Sequence, residues 1–267
     1  MSALRLSPER SAEAPPVSSV AGPAISVDGV TKVYGPRGSH TFALDRISLE
    51  VEPGEFCCLV GASGCGKSTL LNLLAGLDTP AAGTLTVNGR TSLMFQESAL
   101  FPWLSVRGNI NLALRLGGVP KAERKDRASD LLRMVRLKGM GGKRPHELSG
   151  GMRQRVALGR ALAQNASVLL MDEPFGALDA ITRDLLHDEI ERVWLETGIT
   201  IVFVTHNVRE GVRLGDRVMV LSSRPGRVVE EFRIDTPRPR RLDDPEVSSL
   251  SGLITDRLRQ EVRRHGA

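Results

Sequence analysis

The chain has 267 residues, of which 41% are apolar and 25% charged, and it carries a net charge of +5 at pH 7. This length suits one large domain or two small ones, with enough apolar material for a buried core. Its longest apolar runs, such as residues 201–204, fall far short of the roughly 20 residues that cross a bilayer, which excludes a membrane-spanning helix. The basic balance suits nucleic acid, nucleotide phosphates and an anionic membrane face alike, and does not separate them.

The first 23 residues are rich in Ser, Pro, Ala and Glu, without apolar periodicity or an apolar segment. They are expected to form a disordered tail rather than a secretory signal. From Ile25 an alternation sets in, with Ile25 and Val27 followed by Ile47, Leu49 and Val51, which predicts half-buried antiparallel strands. Residues 56–60 are continuously apolar, as in a strand buried on both faces. They lead into a glycine-rich loop and a helix over 67–75 that Gly76 closes. A strand over 84–87 enters a tight turn at Asn88 and Gly89.

Helical patterns then take over, at 106–116 and 121–137, the second with Ala128, Leu131, Leu132 and Val135 on one face. Apolar strands return at 168–171 and 199–204, separated by a helix over 181–195, and both suit the centre of a parallel sheet. After a proline-spaced basic linker, Asp244 and Pro245 form an N-cap with proline at the first helical position. In the helix that follows, Val247, Leu250, Leu253, Ile254, Leu258 and Val262 recur at helical spacing, to pack on the domain or on a partner. The expected division is a tail over 1–23, a domain over 24–235 with a helical insertion at about 97–160, and a linker with an amphipathic helix over 236–267.

Cys57 and Cys58 are neighbours on a predicted strand and face opposite ways, and Cys65 lies in the glycine-rich loop. Three cysteines without metal spacing point to reduced thiols in a cytoplasmic protein, not to a disulfide framework or zinc site.

Three short stretches carry chemistry. GASGCGKS, comprising Gly61, Ala62, Ser63, Gly64, Cys65, Gly66, Lys67 and Ser68, fits the phosphate-binding pattern G-x-x-x-x-G-K-[ST] between a strand and a helix. Its glycines let backbone N–H groups close around phosphates, Lys67 supplies charge to the terminal phosphates, and the Ser68 hydroxyl suits Mg²⁺. VLLMDEP ends an apolar strand in Asp172 and Glu173, whose side chains diverge, Asp172 toward the metal and Glu173 toward the attacking water. His206 follows another apolar strand, at the carboxyl edge where ligands of open α/β sheets bind. The remaining stretch is LSGGMRQR, from Leu148 to Arg155.

Together these residues resemble the ATPase subunit of an ATP-binding cassette transporter, over Ile25 to about Phe232. The resemblance implies a P-loop NTPase core of mainly parallel sheet, with an antiparallel β subdomain and an inserted helical subdomain. It makes Tyr34 the adenine-stacking aromatic, Gly61 to Thr69 the Walker A loop, and Gln96 the Q-loop glutamine at the metal beside Ser68 and Asp172. Leu148 to Gln154 become the signature, whose Ser149, Gly150 and Gly151 cover the nucleotide of a second subunit. Residues 168–173 become Walker B, 177–179 the D-loop and His206 the switch histidine. The implied activity is ATP hydrolysis with Mg²⁺, in which Glu173, His206 and Lys67 are the catalytic residues.

FPWLSVRGNI and SSRPGRVVEEFRIDTPRPRR are similar to the importer subgroup for nitrate, taurine and aliphatic sulfonates. That similarity implies a homodimer joined by ATP, peripheral on the cytoplasmic face of a bacterial inner membrane. Its partners would be permease subunits and, through them, a solute-binding protein. The alternative is a soluble cassette ATPase acting on nucleic acid or ribosomes. Repair relatives carry a long coiled coil between the motif halves, whereas the stretch from Gln96 to Ser149 has no sustained heptads. Ribosomal relatives carry two cassettes, and this chain has one. The importer implies no nucleic-acid partner.

Overall fold

The alternating residues near the start of the chain form β1 (Ile25–Tyr34) and β2 (Thr41–Val51), which pair antiparallel with Ile25 opposite Val51. A computed structural model describes residues 22–36 and 39–265, so all but the last two residues of the expected tail lie outside the described residues. β3 (Phe56–Val60), buried at every position, feeds the glycine-rich loop and α1 (Lys67–Leu74). β4 (Ala82–Val87) then returns to β1 and completes a three-stranded antiparallel sheet ordered β2-β1-β4.

The second sheet is laid down with β5 (Thr91–Met94) at one edge. Three helices follow before the chain returns to it: α2 (Val106–Leu116), α3 (Arg124–Met134) and α4 (Gly150–Leu162). β6 (Val168–Asp172), α5 (Ala180–Thr197), β7 (Thr200–Thr205), α6 (Val208–Leu214) and β8 (Arg217–Leu221) restore the strand–helix alternation. β9 (Val228–Arg233) and α7 (Pro245–His265) end the chain's regular structure. The six strands are ordered β5-β6-β7-β3-β8-β9, parallel except for β9.

The predicted helix at 121–137 is shorter in the structure. Glu123 N–H donates to Pro120 O at 3.0 Å, a turn that delays the start of α3. Arg136, at φ 53°, takes the chain out of it, yet Val135 and Leu137 remain buried. The strand predicted at 199–204 runs one residue later, because Gly198 closes α5 in the left-handed conformation at φ 64°.

Each central strand is apolar along its length because both faces of the sheet are covered. On one face Cys57, Leu59, Leu170, Val202 and Val204 pack with Leu70, Leu71 and Leu74 of α1 and with the antiparallel sheet. On the other, Phe56, Cys58, Leu169, Met171, Ile201 and Phe203 pack with residues of α2 to α7. The helix of the glycine-rich loop and the helix that begins at LSGGM therefore lie on opposite faces of one sheet.

α7 folds back on the domain: Val247 and Ile254 are buried and the helix packs on α6 and β8, while Leu253 and Val262 stay exposed. The linker before it holds Arg240, 3% exposed, which donates to Gly215 O at 2.6 Å, Val212 O at 3.1 Å and Ile234 O at 3.1 Å. This guanidinium satisfies carbonyls at the carboxyl end of α6 that the helix leaves without partners. No described helix is long and apolar enough to cross a membrane.

Phe203 stands at the centre of the helix-covered face, 6.0 Å from the Phe56 ring and 5.8 Å from the Phe175 ring. Phe203→Ala is expected to destabilise the fold by about 3–5 kcal/mol, through lost burial and a cavity. Leu195→Ala, at a site 64% exposed, is expected to stay within about 0.5 kcal/mol. Urea unfolding midpoints at constant m check the contrast.

Candidate functional site

Parallel register brings the chemistry to one edge. Val60 lies opposite Thr205, and Asp172 opposite Val204, so β3, β6 and β7 release their carboxyl ends side by side. From those ends emerge the Gly61–Ser68 loop, Asp172 with Glu173, and His206.

The loop keeps its shape through glycine. Gly64 and Gly66 have φ of 76° and 102°, and a Cβ on Gly66 would stand 2.7 Å from Ala43 O. Gly66 is also the N-cap of α1, and no side chain caps the helix there. The first intrahelical bond runs from Leu70 N–H to Gly66 O at 2.9 Å, which leaves the N–H groups of Lys67, Ser68 and Thr69 ahead of it. Uncapped donors at a positive helix end beneath a glycine cradle suit an anion such as a phosphate chain.

Lys67 is 5% exposed, and its ammonium donates to Gly61 O and Ala62 O, each at 2.9 Å. It also stands 3.9 Å from Glu173 Oε1. The other oxygen, Glu173 Oε2, accepts from His206 Nδ1 at 2.8 Å. An ionised carboxylate only accepts, so the proton of that bond sits on Nδ1. Glu173 itself has φ 44°, a left-handed conformation that costs a non-glycine residue on the order of 1–3 kcal/mol. Its N–H donates to Val204 O at 2.9 Å, so the neighbouring strand holds the strained residue in place.

Asp172 faces the Ser68 hydroxyl. Burial raises its carboxyl above the usual carboxylate range, and the Glu173 charge pushes the same way against Ser68 and Lys67. Among the described residues no group of three or more His, Cys, Asp and Glu side chains could hold a metal alone. The hard oxygens of Ser68 and Asp172 are of the kind that suits Mg²⁺ where phosphate oxygens and water supply the rest of its shell. Gln96 faces the turn after Glu173: its Nε2 lies 3.3 Å from where a Cβ on Gly176 would stand.

Tyr34 stands near Thr69, the residue after Ser68. Its ring is 44% exposed, and its hydroxyl donates to Asp78 Oδ2 at 2.9 Å. Lys32 reaches Asp78 Oδ1 at 2.5 Å and lies 5.0 Å from the ring centre. The Lys32 hydrogen bond, followed by those of Thr79 and Tyr34, holds the Asp78 carboxyl below its ordinary range. No local pattern in the sequence ties these three residues together.

Ser149, Gly150 and Gly151 stand apart. Ser149 caps α4, its hydroxyl accepting from Met152 N–H at 3.2 Å. A Cβ on Gly151 would meet Thr182 Cγ2 at 2.4 Å, and one on Gly150 would meet Leu178 Cδ2 at 3.3 Å. Among the described residues no hydrogen bond or ion pair joins them to the Gly61–Ser68 loop. Along α4, Gln154 Nε2 donates to Gln96 O at 2.7 Å, and Arg160 donates to Ala99 O at 2.6 Å and Ser98 O at 3.1 Å. One helix thus ties LSGGM to Gln96 and to the segment that follows it. Trp103, at the end of that segment, is 68% exposed and packs on Phe101 at 5.5 Å, so it does not cap the insertion internally.

Residues 44–176 match the family described as ABC transporter. The chain is 46% identical over 222 residues to the nitrate import ATP-binding protein NrtD of a Synechocystis species, covering 80% of this chain and 83% of that one. It is 44% identical over 268 residues to the aliphatic sulfonates import ATP-binding protein SsuB 1 of Mesorhizobium japonicum, covering 97% and 99%. Among solved structures, a dimeric ATP-binding cassette in a post-hydrolysis state bound to ADP and Pi superposes with a TM-score of 0.70 at 30% identity, over 80% of this chain and all of that one. A glycine cradle, a strained glutamate beside a histidine, and relatives matched along nearly their whole length lead to one assignment: the chain belongs to the ABC transporter family and carries its ATPase cassette.

Proposed function

We propose that this protein is the ATP-hydrolysing subunit of an importer for a small oxyanion, such as an aliphatic sulfonate, taurine or nitrate. In this reading it works as an ATP-bridged homodimer on the cytoplasmic face of the cell membrane, coupled to a separate permease and its solute-binding protein. The observation that carries the reading is the chain of contacts from Lys67 through Glu173 to His206, at the mouth of an uncapped glycine cradle. The names of the relatives support the solute class.

When bound, Mg²⁺ would neutralise charge on the phosphates of ATP, the substrate whose terminal phosphoryl group is transferred. Ser68 and Asp172 are the residues that would hold the metal, with Gln96 beside them, and Tyr34 would stack on adenine. Lys67 leaves its loop carbonyls for the terminal phosphates. Glu173 orients the attacking water and takes its proton. His206 keeps Glu173 Oε2 in place through its Nδ1 proton. Glu173→Gln keeps the shape and removes the base, so ATP should still bind while turnover falls by about 10²–10⁴-fold. Lys67→Ala should weaken both binding and turnover, as equilibrium nucleotide binding and phosphate release will show.

The sheet supplies the argument for a dimer. α1 and α4 sit on opposite faces, and among the described residues no hydrogen bond or ion pair joins Ser149, Gly150 and Gly151 to their own chain's loop, which supports a ligand held by another copy. A two-fold arrangement pairs each loop with the partner's signature and makes two sites together. Mixing Lys67→Ala with Ser149→Arg chains should recover activity, because the heterodimer gathers both lesions in one site and leaves the other intact. Full activity of Ser149→Arg alone would rule the composite site out.

Phe101, on which the exposed Trp103 packs, lines a cavity of about 320 Å³ together with Phe95, Leu112, Leu116, Ala161 and Gln164. An apolar cleft tied by α4 to both Gln96 and the signature suits a permease segment. Trp103→Ala should leave the basal ATPase rate and the unfolding midpoint unchanged and abolish stimulation by the permease with loaded binding protein.

A further inference from the structure

His206 sits in the two-residue joint between β7, which ends at Thr205, and α6, which starts at Val208. Its own ring is 61% exposed, so little packing holds it against Glu173. The fixed point is its neighbour. Thr205 is 1% exposed, and its hydroxyl donates to Glu210 Oε2 at 2.6 Å while accepting from Asn207 N–H at 3.0 Å. Those two bonds close around the His206 backbone from both sides.

A buried carboxylate needs partners of its own. Glu210 is 5% exposed, and its second oxygen, Oε1, lies 3.6 Å from His187 Nε2 and 3.6 Å from Arg183 Nε. His187 is fully buried, and Arg213 Nη1 approaches its Nδ1 at 3.0 Å, while Asp184 Oδ1 stays at 3.7 Å. A guanidinium only donates, so Nδ1 is the accepting nitrogen and the ring hydrogen lies on Nε2, toward Glu210. The edge of the same ring meets Phe175, two residues beyond Glu173, with centroids 5.4 Å apart. His187 therefore packs on the turn that follows Glu173, and it faces Glu210 at 3.6 Å, beyond hydrogen-bond distance, so that it backs the joint carrying His206 by packing and charge–dipole contact.

We propose that Thr205, Glu210 and His187 form a buried positioning relay that holds His206 at hydrogen-bond distance from Glu173. The proposal rests on the role given above to His206 and deepens it. None of the three would touch nucleotide; each acts through the histidine. An apolar residue of equal size would fill the space behind the site as well, but it would leave Thr205 without the acceptor that sets the joint's conformation.

The test uses the full-length protein and compares Thr205→Val, which keeps the shape, with Thr205→Ser, which keeps the hydroxyl. Loss of one hydrogen bond to a buried charge is expected to lower kcat about tenfold in Thr205→Val, with KM for ATP and equilibrium ATP affinity changed by less than about twofold. Thr205→Ser should return kcat to within about twofold of wild type. Because the relay acts through His206, adding Thr205→Val to His206→Ala should change kcat by less than about twofold. Should Thr205→Val fail to fold, Glu210→Gln takes its place, with the same loss and the same non-additivity expected. Equal losses in the wild-type and His206→Ala backgrounds, or a Thr205→Ser variant as slow as Thr205→Val, would overturn the relay alone. A wild-type kcat for His206→Ala would remove the role of His206, and the relay with it.

Discussion

Backbone hydrogen bonding among β6, β7 and β3 sets the depth at which three loops leave the sheet. Parallel pairing makes Asp172, Val204, Thr205 and Val60 near neighbours along one edge. A slip of one residue in any strand would turn each of its side chains to the other face. The continuous burial of these strands prevents that slip only in part, since both faces are apolar. Further constraint comes from the ends: Glu173 N–H is bound to Val204 O, and Asp216 N–H to Phe56 O. The geometry of the site is thus a property of the ladder before it is a property of any catalytic side chain.

The strain at Glu173 follows from the same ladder. Asp172 is still a strand residue, and its carboxyl lies beside Ser68. An extended continuation would carry the next side chain away from the loop. A left-handed turn at Glu173 instead brings a second carboxylate to the same mouth, between an ammonium and an imidazole. Two adjacent acids then share the field of Lys67 but meet different close partners, Ser68 and His206, and the strand beside them holds the strained backbone in place.

Much of this arrangement is legible in the sequence because it is local. The loop from Gly61 to Ser68, the apolar strand before it and the helix after it lie within one short stretch, and Asp172 with Glu173 ends an apolar run that fits a buried central strand. What the sequence does not display is how distant residues hold these. Asp78 lies far along the chain from Lys32 and Tyr34, and Gln154 far from the Gln96 carbonyl it binds. Thr205 and Glu210 are close in sequence, yet their bond depends on α6 starting at Val208, a boundary that periodicity leaves uncertain by a turn. The same is true of α3, whose ends were set by a turn after Pro120 and by the left-handed Arg136.

The Arg240 clamp on α6 has a consequence in time. A chain emerging from the ribosome has made β7, His206 and the whole of α6 before the residue that satisfies the end of that helix exists. Between Leu214 and Arg240 lie roughly 26 residues, or about one to five seconds of synthesis at ordinary rates. During that interval the strands can pair and α1 can cover its face of the sheet, but the carbonyls of Val212 and Gly215 remain without the guanidinium they meet in the finished fold. Order of synthesis thus sets every residue of the phosphate cradle and of α6 ahead of the guanidinium that completes the hydrogen bonding at the end of that helix.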